Sequence, residues 1–331
     1  MLLAIASPAF SQDKIAVKTD DVEIKFNALT QMWLTSVFGR EKPPPDEWHT
    51  YKIRRSQLQF SGYIDKNKFK WLMMVDFSAD QENPLQDLYV ELSYVPKITL
   101  KAGQFKPPFL MENLTPDNQL DFVDRSFIVR TFADIRDIGF ILYTKLKHFE
   151  AYAGEVNGTG PNTSDWGGDK DLIGRVVIKP VNGLTFGASS YLGDFYSSDF
   201  VTMAGEMNFV YKNFGLRTET IWIREDTSII RAGTLGLRFP IILKKNVDRW
   251  GGYATLLYKL LEKHQLGVRF EWLEPNNGNS RDARFIITVG YNFFQTHRVK
   301  WQANIQSQVE QQGIRANRNI YFGVVSLQVS F

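Results

Sequence analysis

Nine cationic side chains, Arg55, Lys101, Lys106, Arg125, Arg130, Arg136, Arg175, Arg217 and Arg269, are the residues of this chain best suited to select something from solution. A guanidinium stays charged at physiological pH and offers a planar fork that fits phosphate or carboxylate oxygens, while an ammonium supplies a compact point charge. Such a set suits electrostatic selection of small anions better than bond-making. Carboxylates at Asp76, Asp87, Glu91, Asp171, Glu206, Glu219 and Glu271 oppose it. For any single arginine, pairing with a neighbouring carboxylate competes with binding a solute. Collectively, charges that line one path set its ion preference.

Catalytic constellations are weak by comparison. The chain has no cysteine, which removes thiolate ligands and nucleophiles. Its histidines, His49, His148, His264 and His297, are dispersed, and the last three fall in or beside short turns. No nucleophile elbow and no phosphate-binding glycine loop occurs. The stretch DWGGDKD, residues 165–171, could offer carboxylates to calcium but reads as a solvated loop, and REKPPPDEW, residues 40–48, reads as a polyproline loop. The chain therefore points away from an enzyme and calls for no metal or cofactor. A net charge of +3 is too small to argue for nucleic acid.

The elements that must position the cations have period two. In KFKWLMMVDF, Phe69, Trp71, Met73, Val75 and Phe77 share one face, and Lys68, Lys70, Leu72, Met74 and Asp76 the other. QDLYVELSYV and HRVKWQANIQSQVE alternate likewise, which is the signature of strands with one apolar and one polar face. The pattern predicts strands near 22–38, 51–64, 68–78, 86–95, 97–104, 137–146, 148–157, 170–180, 183–194, 200–212, 214–225, 250–261, 264–274, 283–294, 297–309 and 318–331. Short and long connections take turns between them, as in an up-and-down barrel with unlike ends. The polar faces carry too many charges for a dry core, so the packing must be inverted, with apolar side chains toward lipid and charged ones toward a wet lumen. Backbone satisfaction in lipid then demands closure of the first strand on the last. Trp33, Trp71, Trp222, Trp272 and Trp301 are expected in the interfacial girdles. The expected fold is all-β: a closed antiparallel transmembrane β-barrel of about sixteen strands, with the long segment 105–136 folded inward as a constriction.

One region resembles a known family. LYVELSYVPKITLKAGQFKPPFLMENLTPDNQLDFVDRSFIVRTFADIRDIGFILY is similar to the phosphate-selective porin O and P family. The matching features are Gly103-Gln104-Phe105-Lys106, Pro107-Pro108-Phe109, Asp124-Arg125-Ser126 and Arg136-Asp137-Ile138-Gly139, with LGVRFEWLEPN at 266–276. The resemblance implies a sixteen-stranded trimeric outer-membrane porin whose third external loop enters the lumen. The segment 105–136 departs from a purely basic lining: Lys106, Arg125, Arg130 and Arg136 sit beside Glu112, Asp117, Asp121, Asp124 and Asp134.

Residues 1–11 read as the remnant of a signal peptide, with Ala9-Phe10-Ser11 as the small-x-small cleavage pattern, leaving 12–331 as the barrel domain. The expected location is the bacterial outer membrane, with lipid and lipopolysaccharide as surroundings, and with Phe331 at the end of the closing strand as the mark read by the barrel assembly machinery. The expected function is passive diffusion of small solutes with a modest preference for anions such as phosphate. The alternatives are a general non-selective porin and a barrel-embedded hydrolase.

Overall fold

The computed structural model describes residues 15–19, 21–38, 48–65, 68–78, 83–133, 135–165, 169–194, 199–225, 228–229, 242–243, 247–275, 282–312 and 315–331. The signal-like residues 1–11 and the prolines of 43–45 lie outside them, as does Asp134.

Sixteen strands form one ring: β1 (Glu23–Phe38), β2 (Trp48–Ile64), β3 (Phe69–Asp76), β4 (Leu85–Leu92), β5 (Thr99–Phe105), β6 (Asp137–Lys145), β7 (Phe149–Val156), β8 (Asp171–Val181), β9 (Leu184–Asp194), β10 (Asp199–Tyr211), β11 (Phe214–Glu225), β12 (Val247–Leu261), β13 (His264–Glu274), β14 (Arg284–Phe294), β15 (Val299–Gln312) and β16 (Arg315–Ser330). Each pairs antiparallel with its neighbours in the chain, and β16 pairs with β1 from Tyr321↔Phe38 to Ser330↔Leu29. Phe331 extends that seam, because its amide and carbonyl exchange hydrogen bonds with Ala28 at 3.0 and 2.7 Å. The ring thus leaves no open edge, as a sheet in lipid requires. A short strand, Ile15–Lys18, pairs with the start of β1.

The faces sort as alternation demands. On β13 and β14, Leu266, Val268, Phe270, Phe285, Ile287 and Val289 are exposed outward, while Gln265, Arg269, Glu271, Thr288 and Asn292 are buried inward. That outward band is what a hydrocarbon layer covers. Trp222 and Trp250 pair on it, ring to ring at 6.2 Å. Trp33 departs from the expected girdle. It is buried on the inner side, with Lys52 and Arg54 each 5.2 Å from its ring.

The inner face is also less uniformly polar than expected. Ile141, Val156 and Ile173 cluster with Phe105, and Ile221, Ile223 and Tyr253 cluster with Phe109, Leu110, Ile128 and Val129 of the long segment. These apolar residues are tolerated inside because protein, not water, covers them.

Candidate functional site

Segment 105–136 carries two short helices, α1 (Met111–Leu114) and α2 (Phe127–Phe132), with a 3₁₀ turn at Asp117–Gln119. It lies against the inner faces of β10 to β16 and is held there in three ways. The first is close approach. Gly267 and Gly290 are cross-strand partners on the inner face, and a Cβ at Gly290 would stand 2.8 Å from the Phe122 ring. At Gly251 a Cβ would stand 2.9 Å from Ile128. Only glycine leaves room for these side chains to rest on the strand backbone.

The second hold is a set of wall side chains that serve the segment's backbone, which has no ladder of its own. Asn292 donates to the carbonyl of Asp121 at 2.7 Å, and Lys300 donates to those of Asn118 and Leu120 at 3.1 Å each. Gln302 and Gln328 add bonds to Leu120 and Asn118, while Asn304 accepts from the Val123 amide at 2.9 Å. Glu219 accepts from the amides of Met111 and Glu112, and Glu271 from the amide of Phe127, so a wall carboxylate meets the start of each short helix.

The third hold is buried charge. Arg269 donates to Glu271 at 2.8 Å, to Glu112 at 3.2 Å and to the carbonyls of Asp124 and Arg125. Arg125 ties the segment to itself, reaching Asp117 at 2.6 Å and the carbonyls of Glu112 and Thr115. Arg217 pairs with Asp121. From the opposite side of the ring, Arg55 reaches Asp117 at 3.0 Å, and Arg54 and Arg55 both reach Asp124 at 3.4 Å. Two consecutive arginines can point inward because the ladder slips between Gln31↔Arg55 and Met32↔Ile53, leaving Arg54 as the extra residue of a bulge. Burial would push the carboxyls of Asp117 and Asp124 up, but the surrounding cations override it. Arg55, Arg125 and Lys106 hold Asp117 well below the usual carboxylate range, and Arg54, Arg130, Arg55 and Arg125 hold Asp124 low. Burial wins at Glu112, whose carboxyl is pushed up against the pull of Arg269.

The nine cations therefore divide. Arg55, Arg125, Arg175 and Arg269 are at most 6% exposed and are taken up by carboxylates and backbone carbonyls; Arg175 meets Glu206 at 2.7 Å. Arg55, Arg175, Arg217 and Arg269, expected along the ion path, each stand in an ion pair: Arg269 with Glu271 of its own strand, Arg175 with Glu206 of β10, and Arg55 and Arg217 with Asp117 and Asp121 of the segment. Arg130 stands partly exposed, 3.8 Å from Asp124. Lys101, Lys106 and Arg136 remain at a gap.

That gap is a cavity of about 410 Å³ between the segment and the inner faces of β1 to β5. Lys101, Lys106, Arg125 and Arg136 line it with Asp87 and Asp117, so cations outnumber carboxylates. Arg136 meets Asp87 at 3.1 Å, Lys101 meets Glu91 at 3.3 Å, and Lys106 donates to the Asn113 carbonyl at 3.4 Å. Arg54 is the residue that strict alternation conceals. The docking amides had a signal in the sequence, since Gln302, Asn304 and Gln328 are polar yet uncharged on an inner face, which suits backbone partners better than bulk water.

A model of the family described as phosphate-selective porin O and P matches residues 39–207, half of the chain and the part that holds the segment and the gap's lining on β2 to β5. The chain belongs to this family. It is an outer-membrane porin, and the ring of strands with its apolar outer band is the structure that such a location requires. Solved porins share the fold at low identity. An anion-selective porin from Comamonas acidovorans is 12% identical, with TM-score 0.74, over 94% of this chain and 100% of its own. OprB of Pseudomonas putida, solved at high pH, is 14% identical, with TM-score 0.66, over 93% and 94%. The trimer form of OmpT from Vibrio cholerae, folded in vitro, is 10% identical, with TM-score 0.65, over 94% and 100%. No curated protein matches this porin by sequence.

Proposed function

We propose that this porin conducts small solutes passively, without catalysis, through the gap between segment 105–136 and strands β1 to β5, with a modest preference for anions. One observation carries the reading: four cations and two carboxylates line that gap. Low-dielectric walls focus the field of such an imbalance along the water path. Glu91 behind Lys101 subtracts from it, and Arg55 behind Asp117 restores it. The ion pairs on Lys101 and Arg136 favour a second reading, a general porin without selectivity, because paired charges project weak fields. Lys106 separates the two readings. In planar bilayers across a potassium chloride gradient, the wild type should give a reversal potential of anionic sign, and Lys106→Gln should move it toward zero. A cationic sign in the wild type, or no movement in the variant, rejects the anion path.

We further infer a homotrimer, as in the Vibrio cholerae porin whose trimer form is similar in fold. The surroundings would be outer-membrane lipid and lipopolysaccharide, and the barrel assembly machinery would read β16 with Phe331 at its end. Mass measurement in mild detergent tests the trimer.

A further inference from the structure

The gap is not lined by charge alone. Leu72 and Met74 sit on the inner face of β3, half-buried, where a wet lumen calls for polar residues. Cross-strand, Leu72 pairs with Tyr89 and Met74 with Asp87, so the two aliphatic side chains and the tyrosine ring form one apolar strip on β3 and β4. The strip faces the inserted segment at Leu114, 37% exposed, and Pro116. Cations stand at both of its ends. Lys101 lies 3.9 Å from the Tyr89 ring centroid, and Arg136 is held beside Met74 by Asp87, the cross-strand partner of Met74. The inner-wall apolar residues grouped with Phe105, and those grouped with Phe109, Leu110, Ile128 and Val129, are covered by the segment or by one another. Leu72, Met74 and Tyr89 instead border open space of about 410 Å³. Water against such a strip is unfavourable, and a solute that covers it recovers that free energy.

We propose that the gap is a binding site for amphipathic organic anions, solutes with one anionic head and a short hydrocarbon body. The head meets Lys101, Lys106 or Arg136, and the body lies between Leu72 and Met74 on the wall and Leu114 and Pro116 on the segment. The proposal rests on the anion-conducting reading and names the solute class for the same gap. Inorganic phosphate and chloride would use the charges and leave the apolar strip wet.

The test is block of the chloride current by acetate, butyrate, hexanoate and inorganic phosphate, added in turn to wild-type channels in planar bilayers. The half-blocking concentration should fall between about twofold and about fourfold per added methylene, the upper figure being full burial of the group. Phosphate should block no better than acetate. Leu72→Asn with Met74→Gln should flatten the chain-length series. Leu114→Gln, which touches only the segment, should flatten it in part and guards against misassembly of the double variant. A flat series in the wild type, phosphate stronger than hexanoate, or a series unchanged in both variants overturns the proposal while the anion path stands. A cationic reversal potential in chloride alone rejects the anion path itself, whatever the series shows.

Discussion

The inner wall of β11 to β16 and the inner wall of β2 to β5 are built from the same kind of strand and end differently. The first offers glycines at 251, 267 and 290 and amides at 292, 302, 304 and 328, and segment 105–136 lies on it. The second offers Asp87, Lys101, Leu72, Met74 and Tyr89, and a cavity lies beside it. Glycine lowers the wall so that Phe122 and Ile128 can approach. Neutral amides supply bonds to a loop backbone without the desolvation cost of a charge. Full-sized, partly charged side chains on β3 to β5 leave a gap beside the segment, while β2 reaches the segment through Arg54, Arg55 and Gln57. In the proposed reading the segment is the constriction, placed off-centre by residue size and polarity on the far wall, and the solute path is whatever the docking face leaves.

The most severe way to break this contrast is to remove the docked element. Deleting residues 112–130 should raise single-channel conductance severalfold, and Gly267→Phe with Gly290→Phe should do much the same by filling the seat of Phe122. Conductance unchanged in a folded variant would mean that the segment does not set the path. Next in size is Arg269→Ala. It strands Glu271, buried, and Glu112, largely buried, and should cost about 3–5 kcal/mol, the usual loss when one partner of a buried pair is removed. Thermal unfolding in detergent measures it, and a shift no larger than that of a surface substitution would refute the anchoring role. Smaller still is an acid response. The folded-state carboxyl of Asp117 lies below its unfolded value of about 3.9, so its contribution to docking is complete above that pH and is lost as pH falls toward the folded value. The part of the response that belongs to Asp117 should therefore appear in channel noise and conductance only below about pH 4, apart from any earlier step set by Glu112, whose carboxyl is pushed up. Asp117→Asn should show the acid-like behaviour already at neutral pH. A strong-acid rise that persists unchanged in Asp117→Asn would contradict the assignment.

Alternation alone located every strand of the ring, because each must present an apolar face to lipid on every second residue. Where it fell short, that requirement lapses. The stretch 310–317 carries no apolar period and is expected as a long connection, yet β15 runs to Gln312 and β16 begins at Arg315. A strand that continues past the apolar band keeps its ladder but has nothing to bury, so its sequence loses the alternation. The starts of β2 at Trp48 and β12 at Val247, both earlier than expected, follow the same rule. For the site, the length of 105–136 and its apolar content marked it as a folded insertion. Which wall would receive it was written in the glycines and amides of β12 to β16, a signal that a search for charge passes over. The two-arginine contact to Asp124 was out of reach, since a bulge changes the parity of the chain without any change in composition.

The seam between β1 and β16 joins residues from opposite ends of the chain, Leu29 with Ser330 and Ala28 with Phe331. Every other pairing in the ring is between strands adjacent in sequence, so fifteen of the sixteen seams can form as local hairpins while the last must wait for both ends to meet. Closure is therefore the step with the largest loop entropy and the highest contact order, and a strand edge stays exposed until it is complete. A chain interrupted anywhere before β16 would carry two open edges and the docking wall for its own constriction only in part. The permeation path and the final folding step are thereby coupled: β15 and β16, which supply Lys300, Gln302, Asn304 and Gln328 to the segment, are also the last to arrive. A barrel that fails to close is in consequence one whose constriction is not seated.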